Sequence, residues 1–385
     1  MYDKASLALI PSGTKTGKLY SVLPSNHDGD FIFERSTTAT RVNKDGLIET
    51  VSSDIPRLDY PITNGVVGDC PNLLLEPLRT NLVNYSEDFT QWIATSVTVT
   101  PNQVLAPDGT LTADKLDFSA STSARLAKVI SASSGTYIFS VYLKSVSGSG
   151  DFKLALFKQG GTSTIKTVSL TEEWQRFELE YTYDGLTNLI PYVGYYIDDT
   201  YLQEVYAWGA QLEQGSYATS YIPTLQNQVE TRLGDVCYNS GTSAEFNDSE
   251  GVLFAEISAL ANDGTTREIA ISDGGASNRI EIRYISSAND IQAVIRGASS
   301  TITLTYNVTD ATEFIKVAVK YKSEDYALWV GGVERAVSTT AGTPTGLDEL
   351  AFDDGNGNFN MYGKCKQLIY FNEALSDSEL QTLTS

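Results

Sequence analysis

Trp174-Gln175-Arg176-Phe177-Glu178-Leu179-Glu180-Tyr181-Thr182-Tyr183 alternates apolar and polar residues almost without a break. Successive side chains of a strand point to opposite faces. Phe177, Leu179, Tyr181 and Tyr183 therefore share one face, and Arg176, Glu178, Glu180 and Thr182 share the other. Such a strand belongs to an antiparallel sheet with one buried and one solvated side. The same period recurs around it. Tyr137–Lys144 puts Tyr137, Phe139, Val141 and Leu143 on one side, and further strands are predicted at Phe152–Phe157, Ile165–Leu170, Leu189–Ile197 and Val205–Leu212. Gly- and Ser-rich breaks at Ser145–Gly150 and Gly160–Ser163 read as turns.

A second run of this kind fills 236–385. Ile280, Ile282 and Tyr284 alternate with Arg279, Glu281 and Arg283; Ile302, Leu304, Tyr306 and Val308 alternate with Thr301, Thr303, Thr305 and Asn307. Ile315, Val317, Val319 and Tyr321 form a third apolar face. Gly331-Gly332 between two apolar runs signals a hairpin. Ser376-Asp377-Ser378-Glu379 is a capping box and predicts one short helix at the C-terminal end.

Residues 1–80 differ. Pro11, Pro24, Pro56, Pro61, Pro71 and Pro77 interrupt them, and pieces such as Phe31–Arg35, Gly46–Val51 and Leu73–Leu75 are too short to fold alone. The expectation is an all-β chain. Two antiparallel β-sandwiches (81–224 and 236–385), joined by a linker at 225–235, follow an irregular anchoring or oligomerisation segment at 1–80.

Charge and residue usage then limit the chemistry. The net charge of −21 provides no basic footprint for a phosphate backbone, so nucleic acid is excluded as an expected partner, and an anionic membrane surface is disfavoured. The segment 1–80 is close to neutral, with 8 basic against 10 acidic residues, and is the part best suited to packing on other subunits. No apolar run approaches the ~20 residues of a membrane span, and Met1–Gly13 lacks the pattern of a signal peptide. The expectation is a soluble protein made in the cytoplasm, with no membrane insertion. Cys70, Cys237 and Cys365 have neither metal nor disulfide spacing and read as buried free thiols.

Candidate chemistries fall in turn. The single histidine, His27, sits in the turn-like Asn26-His27-Asp28-Gly29-Asp30, so no triad is expected. Glu178 and Glu180 share a strand face, as a glycosidase pair could, but that face reads as solvated. Asp353-Asp354-Gly355-Asn356-Gly357-Asn358 begins like a calcium loop, yet Phe359 stands where such a loop needs Gly and Cys365 where it needs Glu; a tight turn explains the same residues. Asp273-Gly274-Gly275-Ala276 lacks the Lys and helix of a phosphate cradle. No catalytic residue, metal ligand or cofactor is expected.

The aromatic surplus remains. Tyr192, Tyr195, Tyr196, Tyr201 and Tyr206 crowd into Leu189–Leu212 beside Trp208. Alternation places Tyr195 and Tyr196 on opposite faces. An exposed Tyr offers an apolar plate with a polar edge, suited to the face of a sugar. Tyr192, Tyr195, Tyr196 and Tyr201 are the glycan-binding candidates; core or subunit contact is the competing use of the same rings.

Four pieces go beyond pattern: Glu34–Asn43 (ERSTTATRVN), Gly46–Glu49 (GLIE), Pro56–Tyr60 (PRLDY) and Leu73–Leu82 (LLLEPLRTNL). Together they resemble the N-terminal portion of bacteriophage head or tail fibre and spike proteins. Asn84–Trp92 (NYSEDFTQW) and Trp208–Pro223 (WGAQLEQGSYATSYIP) resemble the opening and closing strands of a carbohydrate-binding-module-like jelly roll. Leu368–Ser376 (LIYFNEALS) resembles the end of a concanavalin A-like, laminin-G-type domain. The resemblance implies a virion surface protein, commonly a homotrimer, that attaches to other virion proteins through its N-terminus and binds a host cell-surface glycan. Trp174 and Trp208 fall in strand motifs and read as core. Two other functions fit the same residues less well: a capsid or tail decoration or adaptor protein without a glycan, and a polysaccharide-degrading enzyme.

Overall fold

The computed structural model describes residues 2–63, 65–297 and 300–385. The chain is all-β, built of antiparallel sandwiches, with one α-helix among the described residues, Asp377–Thr384, begun by the Ser376–Glu379 capping box.

The first sandwich packs two five-stranded sheets. One runs Ile93–Thr95, Arg125–Ala127, Leu189–Tyr195, Gly150–Lys158, Ser163–Leu170 in spatial order. The other runs Thr98–Val104, Ala113–Asp117, Glu204–Gln214, Gly135–Ser145, Gln175–Tyr183. The alternation that opened the reading sets this packing. Leu179 pairs with Phe139 and Phe177 with Val141, and their faces meet Phe152, Leu154 and Val193 of the opposite sheet in one core. Trp208 is buried as expected. Trp174 is only half-buried, because it lies at the sandwich edge, where its indole N–H donates to the Leu105 carbonyl and Lys144 covers its ring.

The second sandwich is not made by 236–385 alone. Its larger sheet runs Val333–Ser338, Tyr326–Val330, Ile315–Lys322, Glu250–Ala259, Gly363–Phe371, then continues into Asn72–Leu75 and Arg57–Asp59. Leu7–Leu9 pairs with the same Gly363–Phe371 strand. Leu7, Leu9, Phe31, Phe33, Leu58, Leu73 and Leu75 enter one apolar core with Ile269, Ile282, Val319 and Leu368. Each N-terminal strand is too short to hold a sheet by itself; each gains its hydrogen bonds and burial from a neighbour in the same chain.

The pieces read as phage-like converge inside the molecule. Arg35 Nη1 donates to Asp235 Oδ1 (3.0 Å), and Arg57 bridges Asp235 and Glu76, the latter at 2.5 Å. Arg232 donates to Glu76 at 2.6 Å, as does the Ser220 hydroxyl. The five charged residues are all buried. Burial alone would raise the Glu76 carboxyl, but Arg232 and Arg57 overcome that and hold it far below the usual carboxylate range. The expected linker at 225–235 is therefore no free connection. Glu230–Arg232 pairs with Arg79–Asn81, and Arg232 and Asp235 lie in the buried network.

Three further expectations change. Arg279 and Glu281 do alternate with core isoleucines, yet their face is buried too, because the loop Asp353–Asn360 folds over it. Arg176 is half-buried rather than solvated, with Nη1 donating to the Thr219 carbonyl and Nη2 to Ser140 Oγ. Cys237 and Cys365 are buried, but Cys70 is exposed in the bend after Val66–Val67.

Candidate functional site: the tyrosine face of the first sandwich

The sheet containing Leu189–Tyr195 turns one face into the core and one to solvent. Leu126, Leu154, Leu156 and Val193 point inward. Their alternates point out, and the register places them in cross-strand rows. One row reads Ile93, Ala127, Tyr192, Ala155, Ile165, each paired with the next. The adjacent row, about 7 Å along the strands, brings Thr95, Arg125 and Tyr195 into register, with Lys153 and Thr167 completing it beyond the bulge. Ala127 and Ala155, on either side of Tyr192, are both buried.

Aromatic rings gather here. Phe157 lies 5.3 Å from Tyr192 and 4.6 Å from Tyr195, Tyr192 lies 5.0 Å from Tyr195, and Tyr195 lies 4.5 Å from Tyr196, centroid to centroid. Tyr195 and Tyr196 thus share a side, contrary to strict alternation. The register slips at Gly194 (φ 74°), the strand ends at Tyr195, and Tyr196 adopts a left-handed φ of 51° that swings its ring back onto Tyr195. Burial pushes the phenols of Tyr192 and Tyr195 above their ordinary range.

Of the four candidate tyrosines the structure brings Tyr192, Tyr195 and Tyr196 together with Phe157, which the sequence reading did not select. Phe157 is found by register, since it lies two residues from Ala155 on the same face. Tyr201 stands apart from the ring cluster, packed on the core's edge with Lys153 Nζ 4.0 Å over its ring. Tyr206 belongs to the other sheet, under Lys144. The surroundings are apolar and open: Ile93 is 58% exposed, Ile165 50%, Val129 45% and Tyr196 43%.

Other concave regions are less suited to a ligand. A cleft of about 450 Å³ between the sandwiches is lined by Arg41, Asp59, Tyr142, Arg176, Glu313 and Lys364 among others. Arg41 is already paired with Glu49, and Lys364 lies 3.6 Å from Asp59. A smaller pocket holds Glu87, Asp88 and Asp114; burial raises Glu87 and Asp114 to about 6. Asp114 spends both oxygens on the backbone N–H groups of Asn102 and Phe89, and Glu87 accepts from the Tyr221 hydroxyl. His27 lies exposed at a turn, 3.3 Å from Asp30. In the loop read as calcium-like, Asp354 Oδ1 accepts from the N–H groups of Asn356 (3.0 Å) and Asn358 (2.9 Å), so the turn's own amides take its acceptor directions. Among the described residues no group of three or more potential ligands is placed to hold a metal ion.

No family model and no curated protein matches the chain. Solved structures with partial likeness include the carbohydrate-binding module CBM40 of a Ruminococcus gnavus IT-sialidase bound to alpha2,3 sialyllactose (14% identity, 38% of this chain, 92% of that one, TM-score 0.33). A leech intramolecular trans-sialidase matches at 18% identity over 36% of this chain and 23% of its own, with TM-score 0.31. The binding domain of botulinum neurotoxin serotype D/C matches at 11% over 39% and 40%, also at 0.31. At these TM-scores the function of this chain has to be read from its own residues.

Proposed function

We propose that the protein is a non-enzymatic adhesive component of a phage particle, a head or tail fibre or spike subunit displayed on the virion surface, whose first sandwich holds a host-surface glycan. One observation carries the glycan part: Tyr192, Tyr195, Tyr196 and Phe157 form a contiguous, solvent-facing ring cluster on a rigid sheet. Flat plates with polar edges suit sugar faces, and a sheet holds them without an ordering cost on binding. The virion part is supported by the resemblance of the N-terminal pieces. Of residues 1–80, the hairpin Ile62–Thr63/Val66–Val67 leaves Ile62 and Val66 exposed, and it is the part we assign to contact with other virion proteins. Weak single sites gain strength by multiplicity, as in the proposed homotrimer.

The test uses the full chain on an array of neutral and acidic glycans. A Tyr192→Ala/Tyr195→Ala variant with an unchanged unfolding midpoint should lose binding by about tenfold or more, since each truncation removes apolar ring area whose full burial contributes roughly 1.5–3 kcal/mol. Silence of the wild type across the array overturns the reading.

A second reading rests on Ile93, Val129 and Ile165, exposed aliphatics that frame the rings. Such a frame suits a protein partner, as in a decoration or adaptor subunit. If these residues become protected from solvent in the assembled oligomer or particle, this reading replaces the first.

A further inference from the structure

We infer that the ligand of the tyrosine face is an anionic polysaccharide, its sugar faces on Tyr192 and Tyr195 and its acidic groups at Arg125 and Lys153. The inference rests on the glycan reading above and adds the charge of the ligand. Arg125 is the register partner of Tyr195 and lies with its guanidinium 5.4 Å from the Tyr196 centroid. Lys153, two residues from Ala155 on the outward face of the neighbouring strand, sits over Tyr201 and donates to the Tyr196 carbonyl at 3.3 Å. The two cations therefore bracket the ring cluster in one row, beside the apolar row built on Tyr192.

Both cations also lack a carboxylate partner among the described residues. The chain has 48 acidic residues against 27 Lys and Arg, so a cation finds a carboxylate easily. Among the described residues, no carboxylate lies within 4.0 Å of Arg125 or Lys153. Two acids on adjoining segments have other partners. Asp151, on the outward face of the Lys153 strand, accepts from Ser169 Oγ at 2.7 Å, and Asp198 accepts from the Thr200 N–H at 3.0 Å and from its hydroxyl, feeling Lys153 only at longer range. The Arg125 guanidinium makes one backbone contact, to the Ser123 carbonyl at 3.3 Å. Its remaining donors form a planar fork matched to a carboxylate or sulfate. The molecule as a whole is strongly negative and repels polyanions at long range, so retention of one requires this local pair.

The experiment titrates the full chain against alginate (carboxylate), dextran sulfate (sulfate) and neutral dextran, after the array has shown that some glycan binds. Expected is binding to at least one polyanion about tenfold or more tighter than to dextran. That preference should disappear in Arg125→Gln/Lys153→Gln, be kept in Lys153→Arg, and weaken as salt rises from 50 to about 300 mM. Which polyanion is retained identifies the acidic group. Equal binding of neutral dextran, untouched by the double substitution yet lost in Tyr192→Ala/Tyr195→Ala, overturns the anionic assignment and leaves the glycan reading standing. Silence across the array overturns both. Matching unfolding midpoints of the charge variants and the wild type exclude loss of fold as the cause.

Discussion

Gly194 decides where the tyrosines point. Its φ of 74° is left-handed, and a Cβ built there would lie 2.2 Å from Cε1 of Phe118. Only glycine fits both the slip and the close approach. Gly194→Ala should therefore cost about 2–5 kcal/mol, the sum of a left-handed backbone penalty and an overpacked core. Gly148→Ala, at φ 68° with open space around it, is the control and should cost about 1–2 kcal/mol. Equal denaturation midpoints for the two would show that the Phe118 contact is immaterial. Glu281 offers a second test at this scale. It is fully buried under the Asp353–Asn360 loop, and neither oxygen has a hydrogen-bond partner although Arg279 lies against one of them. Burial first, then Glu268, raises its carboxyl, against the opposing pull of Arg279, Arg296 and Arg283. A raised acid binds its proton more tightly when folded, so its contribution to stability falls as pH climbs from the ordinary carboxylate range through the raised value. Glu281→Gln should flatten that decline and stabilise the protein at pH 8 by on the order of 1 kcal/mol. A loss of the same size at pH 5 and pH 8 would show instead that the arginine pairs dominate.

At the scale of elements, alternation was legible because one face of each strand is buried and a period of two leaves no other register. Gln175–Tyr183, Gly135–Ser145 and Gly150–Lys158 all fall where the sequence predicts them. The tyrosine cluster was legible only as a crowding of rings, since alternation puts Tyr195 on the face opposite Tyr192 and Tyr196. What alternation misses is whatever breaks it or covers it. The slip at Gly194 unites Tyr195 with Tyr196, and the loop over Arg279 and Glu281 turns a polar face into a buried one. Tyr201 lies beyond the strand, where periodicity assigns no face. The phage-like pieces were legible as motifs, but not as one network, since Arg35, Arg57, Glu76, Ser220, Arg232 and Asp235 meet across up to 200 residues of chain.

At the scale of the whole molecule, that network and the shared sheet join regions that the sequence separates. Gly363–Phe371 takes Leu7–Leu9 and Asn72–Leu75 as partners along one edge, and Phe31, Phe33 and Leu58 fill the same core. A fragment of 236–385 would expose that strand edge and those apolar contacts to water, a combination that favours aggregation. It should fail to fold alone, and co-expression with 1–80 should recover soluble material. A cooperative unfolding transition from the isolated fragment would refute the shared core. In the full chain, Glu76→Gln removes the charge that two buried arginines surround. Uncompensated charge of this kind costs about 3–5 kcal/mol. Because Glu76 touches strands of the second sandwich through Arg57 and the closing segment of the first through Ser220, both should be weakened together. Hydrogen exchange should then rise in parallel at Leu73–Leu75 and at Ser220–Ile222. A rise confined to one of the two would mean that the sandwiches are linked in sequence but not in stability.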